Sequence, residues 1–256
     1  MMPGTAYIDM EFAGIYGTYQ GMQIPTEIGV VIHEPESDSL SFASKAFSRN
    51  ISVELWKNIT DDVGKRIEGQ RRVFNLASRG HTTPFDKTFR LGTEERRKAG
   101  IAIAGVHRDL RRFMQGLNRE NIGTLVFFAR RREMETFRYA GVNTDGFLIR
   151  DLQDEIRSEF HLKEHISLDR MSLVTEFGLK GSRIHSAHFS YALPEKFRYL
   201  IKPHKAIGDA ARMFLVDREK RQYPEIFGEL LDRHIEAYDN RKLVKKTAYE
   251  DENGRI

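Results

Sequence analysis

The chain has 256 residues, which suits one large domain or one domain with an appendage. Hydrophobic residues make up 40% of the chain and charged residues 30%, enough for a buried core beneath a well-solvated surface. The net charge of +4 is compatible with a polyanionic partner, and the lack of cysteine excludes disulfides and thiolate metal sites.

The N-terminal part of the chain predicts three strands. Its first residues carry neither a basic region nor an apolar core, so we expect no secretory signal. Apolar and β-branched residues then predict strands at 6–12, 26–32 and 39–47, separated by a glycine-rich loop and a polar turn. This order favours an antiparallel meander. Residues 52–77 are helical in patches, with loop residues at 80–84.

The clearest helical pattern begins at Thr93. Apolar residues recur there at steps of three and four, as on one face of a helix; they are Ala99, Ile103, Val106, Leu110, Phe113 and Leu117. The other face carries Arg96, Arg97, Arg108, Arg111 and Arg112. Such a run is either a solvated helix face or a track for phosphates.

The middle of the chain predicts a central strand followed by short elements. Residues 124–129 form the clearest buried strand, and a helix with an acidic first turn opens directly after it. A short strand at 146–149 follows. Asp151 and Ser167 then suit the N-caps of two helices, the second ended by Gly178.

The C-terminal part predicts two helices and a tail. Pro203 suits the start of the first helix, and an amphipathic helix follows a polar break at 218–224. Residues 239–256 are charged with little to bury, so we expect them to be disordered. We divide the chain into a domain at 1–217 and a C-terminal helix and tail at 218–256.

The element order predicts an α/β fold with a mixed sheet. No run approaches the roughly 18 apolar residues of a membrane span, so we expect a soluble cytoplasmic protein.

Two acidic residues alternate with apolar ones in the first strand. Because side chains in a strand alternate between faces, Asp9 and Glu11 lie on the same face. Two oxygen ligands so close together favour a divalent cation such as Mg²⁺ or Mn²⁺, although an outward polar face gives the same pattern.

Four features, taken in order, resemble the histidine subclass of the DEDD exonuclease superfamily. They are the acids of YIDMEF, the segment TEIGVV, an acid just past the central strand, and His204 with Asp209 at a five-residue step in PHKAIGDAARM. The segment SLDRMSLVTEFGL resembles the helix that usually precedes the last feature. The resemblance extends from about residue 5 to residue 217. It implies a ribonuclease H-like mixed sheet flanked by helices, and 3′–5′ exonuclease activity.

The sequence departs from the family's pattern at two positions. The family has an aspartate shortly after the central strand, where this chain offers only glutamates. Glu133 best matches the pattern and Glu135 is the alternative, since Asp145, Asp151 and Asp154 come too late. Phe12 also stands where a threonine is common. These departures put full catalytic competence in question.

The resemblance implies a role for each site residue and two bound Mg²⁺ or Mn²⁺ ions. Asp9 would bridge the ions, with Glu11 and Asp209 completing the first site and Glu133 supporting the second. His204 would be the general base for the attacking water, a role that suits a side chain titrating near neutral pH.

The implied substrate is nucleic acid with a free 3′ end, expected to be single-stranded. Arg130, Arg131 and Arg132 adjoin the third acid and either hold phosphates or are solvated. Tyr16, Tyr19 and Met22 lie in the loop where the family lodges the terminal nucleotide, and an aromatic ring there could stack on a base. Nothing in the sequence separates DNA from RNA.

Two other functions are compatible with the same residues. The first is a catalytically weak or inactive exonuclease fold that binds nucleic acid or a protein partner, as the missing aspartate and the charged C-terminal region would allow. The second is a structural α/β protein whose acids only resemble the motif. Metal binding separates the structural protein from the exonuclease and the inactive module.

Overall fold

The computed structural model describes residues 3–14, 23–47, 93–117 and 121–252. In these parts of the chain a mixed five-stranded sheet is flanked by helices, and a small three-stranded sheet follows in sequence. The five strands are β1 (Gly4–Gly14), β2 (Gln23–Glu34), β3 (Ser39–Ala46), β4 (Ile122–Phe127) and β5 (Leu148–Asp151). The α/β class predicted from the sequence is therefore confirmed at this level.

Strand β1 lies at the centre of the large sheet, whose order is β3-β2-β1-β4-β5. The first three strands pair antiparallel, as the predicted meander requires, while β1–β4 and β4–β5 are parallel. The register between β1 and β2 shifts directly after Glu11. The Thr26 hydroxyl donates to the Glu11 carbonyl at 3.0 Å beside this irregularity.

Six α-helices are described. They are α1 (Thr93–Gly116), α2 (Arg131–Ala140), α3 (Leu152–Glu159), α4 (Leu168–Val174), α5 (Ala206–Gln222) and α6 (Pro224–Glu252). The two predicted N-caps are confirmed. The Asp151 side chain accepts from the backbone nitrogens of Gln153 and Asp154, and Ser167 accepts from that of Arg170.

The central strands of the large sheet are buried on both faces because each face packs against helices. Ile8 and Met10 of β1 contact a core formed with α1 and α2, in which Ile103, Val106 and Leu110 are buried as their spacing predicts. Tyr7 faces the opposite core, built mainly by α3 to α6. The odd-numbered residues of β1, including Asp9 and Glu11, therefore face α5.

A buried network of charged residues connects β1, β5 and α5 on the face of β1 that carries Asp9 and Glu11. The fully buried Asp217 accepts a hydrogen bond from the Tyr7 hydroxyl at 2.7 Å and a bidentate pair from Arg150 at 2.9 and 3.0 Å. Although burial opposes ionisation, the hydrogen bonds and charge of Arg150 hold the pKa of Asp217 below its usual value. This network fixes α5 against the sheet.

Two predicted helix boundaries differ from the structure. Helix α5 begins at Ala206 rather than Pro203, because His204 has a φ of 60° and cannot be helical. Helix α4 ends by Thr175, and Gly178 lies in the first strand of the small sheet, not at a helix end.

The small sheet consists of β6 (Gly178–Lys180), β7 (Arg183–His185) and β8 (Ser190–Ala192). A 3-10 helix, Glu195–Leu200, completes the stretch whose elements the sequence does not predict.

The C-terminal region consists of α5 and α6. Residue 217 lies within α5, and Phe227 and Leu231 of α6 belong to the core that also contains Tyr7. The division at residue 217 and the disorder expected from residue 239 stay predictions. The predicted helical patches at 52–77 and the loop after them lie outside the described residues. Within the described residues, no helix is both long and apolar enough to cross a membrane.

Candidate metal centre

The first two acids of the site are positioned by β1. Asp9 is partly buried and Glu11 is only 8% exposed, and both side chains lie on the face toward α5. Glu27 pairs with Glu11 across the β1–β2 register, and Lys205 lies 3.1 Å from the Glu27 carboxylate. The strand therefore supplies two acids on one face, as the sequence predicts.

The next acid comes from the first turn of α5, and a glycine lets it approach. Gly29 pairs with Asp9 in the sheet, and a Cβ at Gly29 would overlap the backbone of Ala206 and Ile207. Gly208 is equally confined, because its Cβ would overlap the backbone of Lys202. Gly29 lets the start of α5 rest directly on the sheet, which brings Asp209 beside the acids of β1, and Gly208 lets the segment at Lys202 pack against the helix.

Glu11, His204 and Asp209 form a group whose ligand atoms all lie within 4.8 Å of one another. His204 is exposed, whereas the other two are buried. Its left-handed φ of 60° is unusual for a residue with a side chain and costs energy that the surrounding turn must offset. This histidine is therefore close enough to act either as a metal ligand or as a base at the metal centre.

The third acid of the predicted motif, Glu133, is positioned by a turn after β4. Ala129 has a φ of 64°, and Asp151 accepts from the backbone nitrogens of Ala129 at 3.2 Å and Arg130 at 2.9 Å. These two hydrogen bonds orient the first turn of α2, in which Glu133 is buried at 7% exposure. Within the described part of the chain, Glu133 Oε2 is buried without a hydrogen-bond partner.

Glu135, the alternative third acid, lies on the opposite side of α2. Its side chain is 51% exposed and lies 3.5 Å from Arg131 Nε. An exposed carboxylate paired along its own helix is solvated rather than aimed into the site. The geometry thus favours Glu133 over Glu135.

The electrostatics link the Asp9 carboxyl to the other three acids. Burial raises the pKa of Asp9 well above its usual value, and Asp209, Glu11 and Glu133 each raise it further. Burial, with repulsion from Asp209 and Glu27, raises the pKa of Glu11 to about 8. Burial also raises the pKa of Asp209, and mainly burial raises that of Glu133 to about 7. Asp9 is thus the acid whose pKa is raised by all three of the others.

These residues fit a divalent cation of the hard, oxygen-preferring kind. Two carboxylates and a histidine nitrogen lie within 4.8 Å of one another, at Glu11, Asp209 and His204. Asp9 is electrostatically linked to these acids and to Glu133, whose Oε2 is buried without a described partner. Carboxylates kept from ionising by mutual repulsion and burial gain most from a cation that compensates their charge.

Arg212 is a buried cation beside the acids, and it was not predicted from the sequence. It is 4% exposed and pairs with both Asp209 and Asp169. Its position three residues after Asp209 was a usable signal, since that spacing places the two on one helix face. The role of Gly29 could not be predicted, because its close contacts are with Ala206 and Ile207, far away in the chain.

The predicted substrate-binding residues fall into two groups. Arg130, Arg131 and Arg132 are exposed at the start of α2, and the Arg132 guanidinium lies over the Phe12 ring at 5.3 Å, one residue beyond Glu11. Tyr16, Tyr19 and Met22 lie outside the described residues. Thus only the arginine cluster is placed beside the acids.

Comparisons with protein-family models, with curated proteins and with solved structures find no match to this chain.

Proposed function

We propose that the protein is a metal-dependent 3′–5′ exonuclease with a ribonuclease H-like fold, of the DEDD type with a histidine. The observation that carries this proposal is the grouping of Glu11, Asp209 and His204 within 4.8 Å of one another. Asp9 and Glu133 support it, because Glu11, Asp209 and Glu133 all raise the pKa of Asp9. The strand order and the positions of the acids on β1, α2 and α5 are compatible with that fold.

Asp9, Glu11, Glu133 and Asp209 would hold the two Mg²⁺ or Mn²⁺ ions. Such ions supply charge stabilisation for the reacting phosphodiester and for its leaving oxygen. His204 is exposed at the rim, so it can accept the proton of the attacking water and pass it to solvent. Its left-handed backbone and the turn at Pro203 hold the ring at the site.

The substrate proposed is a nucleic acid strand with a free 3′ end. Arg130, Arg131 and Arg132 give the rim of the site positive charge next to Glu133, where phosphates of a single strand would pass. Arg132 lies over Phe12, so its charge is held close to the acids. These contacts recognise the backbone and leave base and sugar identity open.

A labelled single strand tests the proposal. With the label at the 5′ end, Mn²⁺ should produce a ladder that shortens from the 3′ end, and EDTA should stop it. Asp9→Asn, which keeps the shape of the side chain, should be inactive, while Glu135→Gln should match the wild type. Cleavage that persists in Asp9→Asn would assign the activity to a contaminant or another site.

One observation favours the alternative of a weak or inactive module. Arg212 is paired with Asp209, and such a pair competes with any cation for that carboxylate. If the chain binds single-stranded nucleic acid and Mn²⁺ yet releases no nucleotide, the binding module is the correct function. If it binds neither, both functions are wrong.

A further inference from the structure

Arg212 joins the acid site to a carboxylate outside it. One terminal nitrogen of the guanidinium pairs with Asp209 inside the site, and the other pairs with Asp169 in the first turn of α4. Arg212 also approaches the Ser172 hydroxyl at 3.5 Å. The planar fork of arginine is thus shared between two helices and two acids of different exposure, since the Asp169 side chain is 56% exposed.

The position of Arg212 between Asp209 and Asp169 affects the charge balance of the acid site. An arginine does not lose its proton in a protein, so a buried guanidinium always needs an anionic partner. While the four acids have no cation, Arg212 supplies positive charge to Asp209. When a cation takes Asp209, that interaction weakens, and Asp169 is the acceptor that remains in contact.

We propose that Arg212 holds Asp209 until a divalent cation binds and is then retained by Asp169, which makes Asp169 a positioning residue that sets metal affinity. The proposal rests on the metal site of the proposed function but not on nuclease activity. Asp169 itself would touch neither metal nor substrate.

Calorimetric titration with Mn²⁺ alone tests the proposal in the full chain. Asp169→Asn removes the carboxylate that pairs with Arg212 outside the acid site. Mn²⁺ binding in this variant would therefore leave the buried Arg212 guanidinium without a carboxylate partner. We expect Mn²⁺ affinity to fall roughly tenfold, since hydrogen bonds to charged groups are among the stronger ones. Glu176→Gln is the matched control, because it neutralises an exposed acid just beyond the same helix and should leave the affinity unchanged.

A double-mutant cycle separates the role of Arg212 from simple attraction between Asp169 and the metal. Arg212→Met should raise Mn²⁺ affinity, and adding Asp169→Asn in that background should have no further effect. A direct attraction would instead persist without the arginine. If Arg212→Met does not fold, Arg212→Gln takes its place, because its amide still occupies the buried space.

Two outcomes overturn the proposal. One is an unchanged affinity in Asp169→Asn, and the other is an equal loss with and without Arg212. If the wild type itself binds no Mn²⁺ while folded, the metal site and the proposed function fail instead. The two failures are therefore distinguishable in one set of titrations.

Discussion

The buried carboxyl of Glu133 should make the metal-free protein less stable as pH rises. Its pKa is raised from 4.5 to about 7 in the folded protein, chiefly by burial. A carboxyl with a raised folded pKa stabilises the fold while protonated, and this contribution is lost as pH rises through that pKa. The rise of the Glu133 pKa from 4.5 to about 7 corresponds to roughly 3 kcal/mol in the free energy of unfolding.

The perturbation that tests this is Glu133→Gln, measured as the free energy of unfolding in urea with EDTA present. The amide carries no charge, so at pH 8 the variant avoids the cost of an ionised buried carboxylate. At pH 5 the wild-type group is already mostly protonated, and little difference remains. Any fixed cost of burying the amide is the same at both pH values, so it cancels when they are compared.

We expect the variant to gain about 2 to 3 kcal/mol on the wild type between pH 5 and pH 8. In thermal unfolding, about 1 kcal/mol moves Tm by roughly 2 to 4 °C at this size. Glu135→Gln is the matched control and should show no such gain, because its carboxylate is exposed. A difference for Glu133→Gln that is equal at both pH values would refute the burial of this acid among the others.

Four further predictions concern activity and folding. Asp9→Ala should abolish nuclease activity in a folded protein, checked by nucleotide release and circular dichroism, and wild-type rates would rule out the acid assignment. His204→Ala should lower kcat by about 10² to 10⁴ with little change in Mn²⁺ affinity; a large loss of affinity by calorimetry would make the histidine a ligand. Glu133→Asp should lower activity on the order of 100-fold, because the shorter side chain withdraws the carboxylate by about 1 Å, and undiminished rates would contradict this. Gly29→Ala should prevent α5 from docking at Ile207 and should yield little soluble protein on expression; a stable, active variant would refute the close approach.

The sequence indicates part of the candidate site by a local signal, because alternation alone places Asp9 and Glu11 on one face. The link between His204 and Asp209 comes from the family resemblance, and the structure brings both close to Glu11. The sequence favoured Glu133 over Glu135 only through the family resemblance, and the structure adds that the two glutamates occupy opposite faces of α2. The turn at Ala129, held by Asp151, orients these faces.

Features that depend on distant contacts could not be predicted. The strands of the small sheet have three residues each, too few to show a period of two. The start of α5 was misplaced because the left-handed backbone of His204 leaves no mark on the sequence. Gly29 and Arg212 gain their meaning only where β2, α4 and α5 meet.

A crystal soaked in Mn²⁺ would show whether the four carboxylates hold a divalent cation. We expect anomalous density for manganese between Asp9, Glu11, Glu133 and Asp209, with the Arg212 guanidinium moved off Asp209 toward Asp169. Manganese bound elsewhere, or no manganese at these acids while Arg212 still holds Asp209, would refute this metal centre.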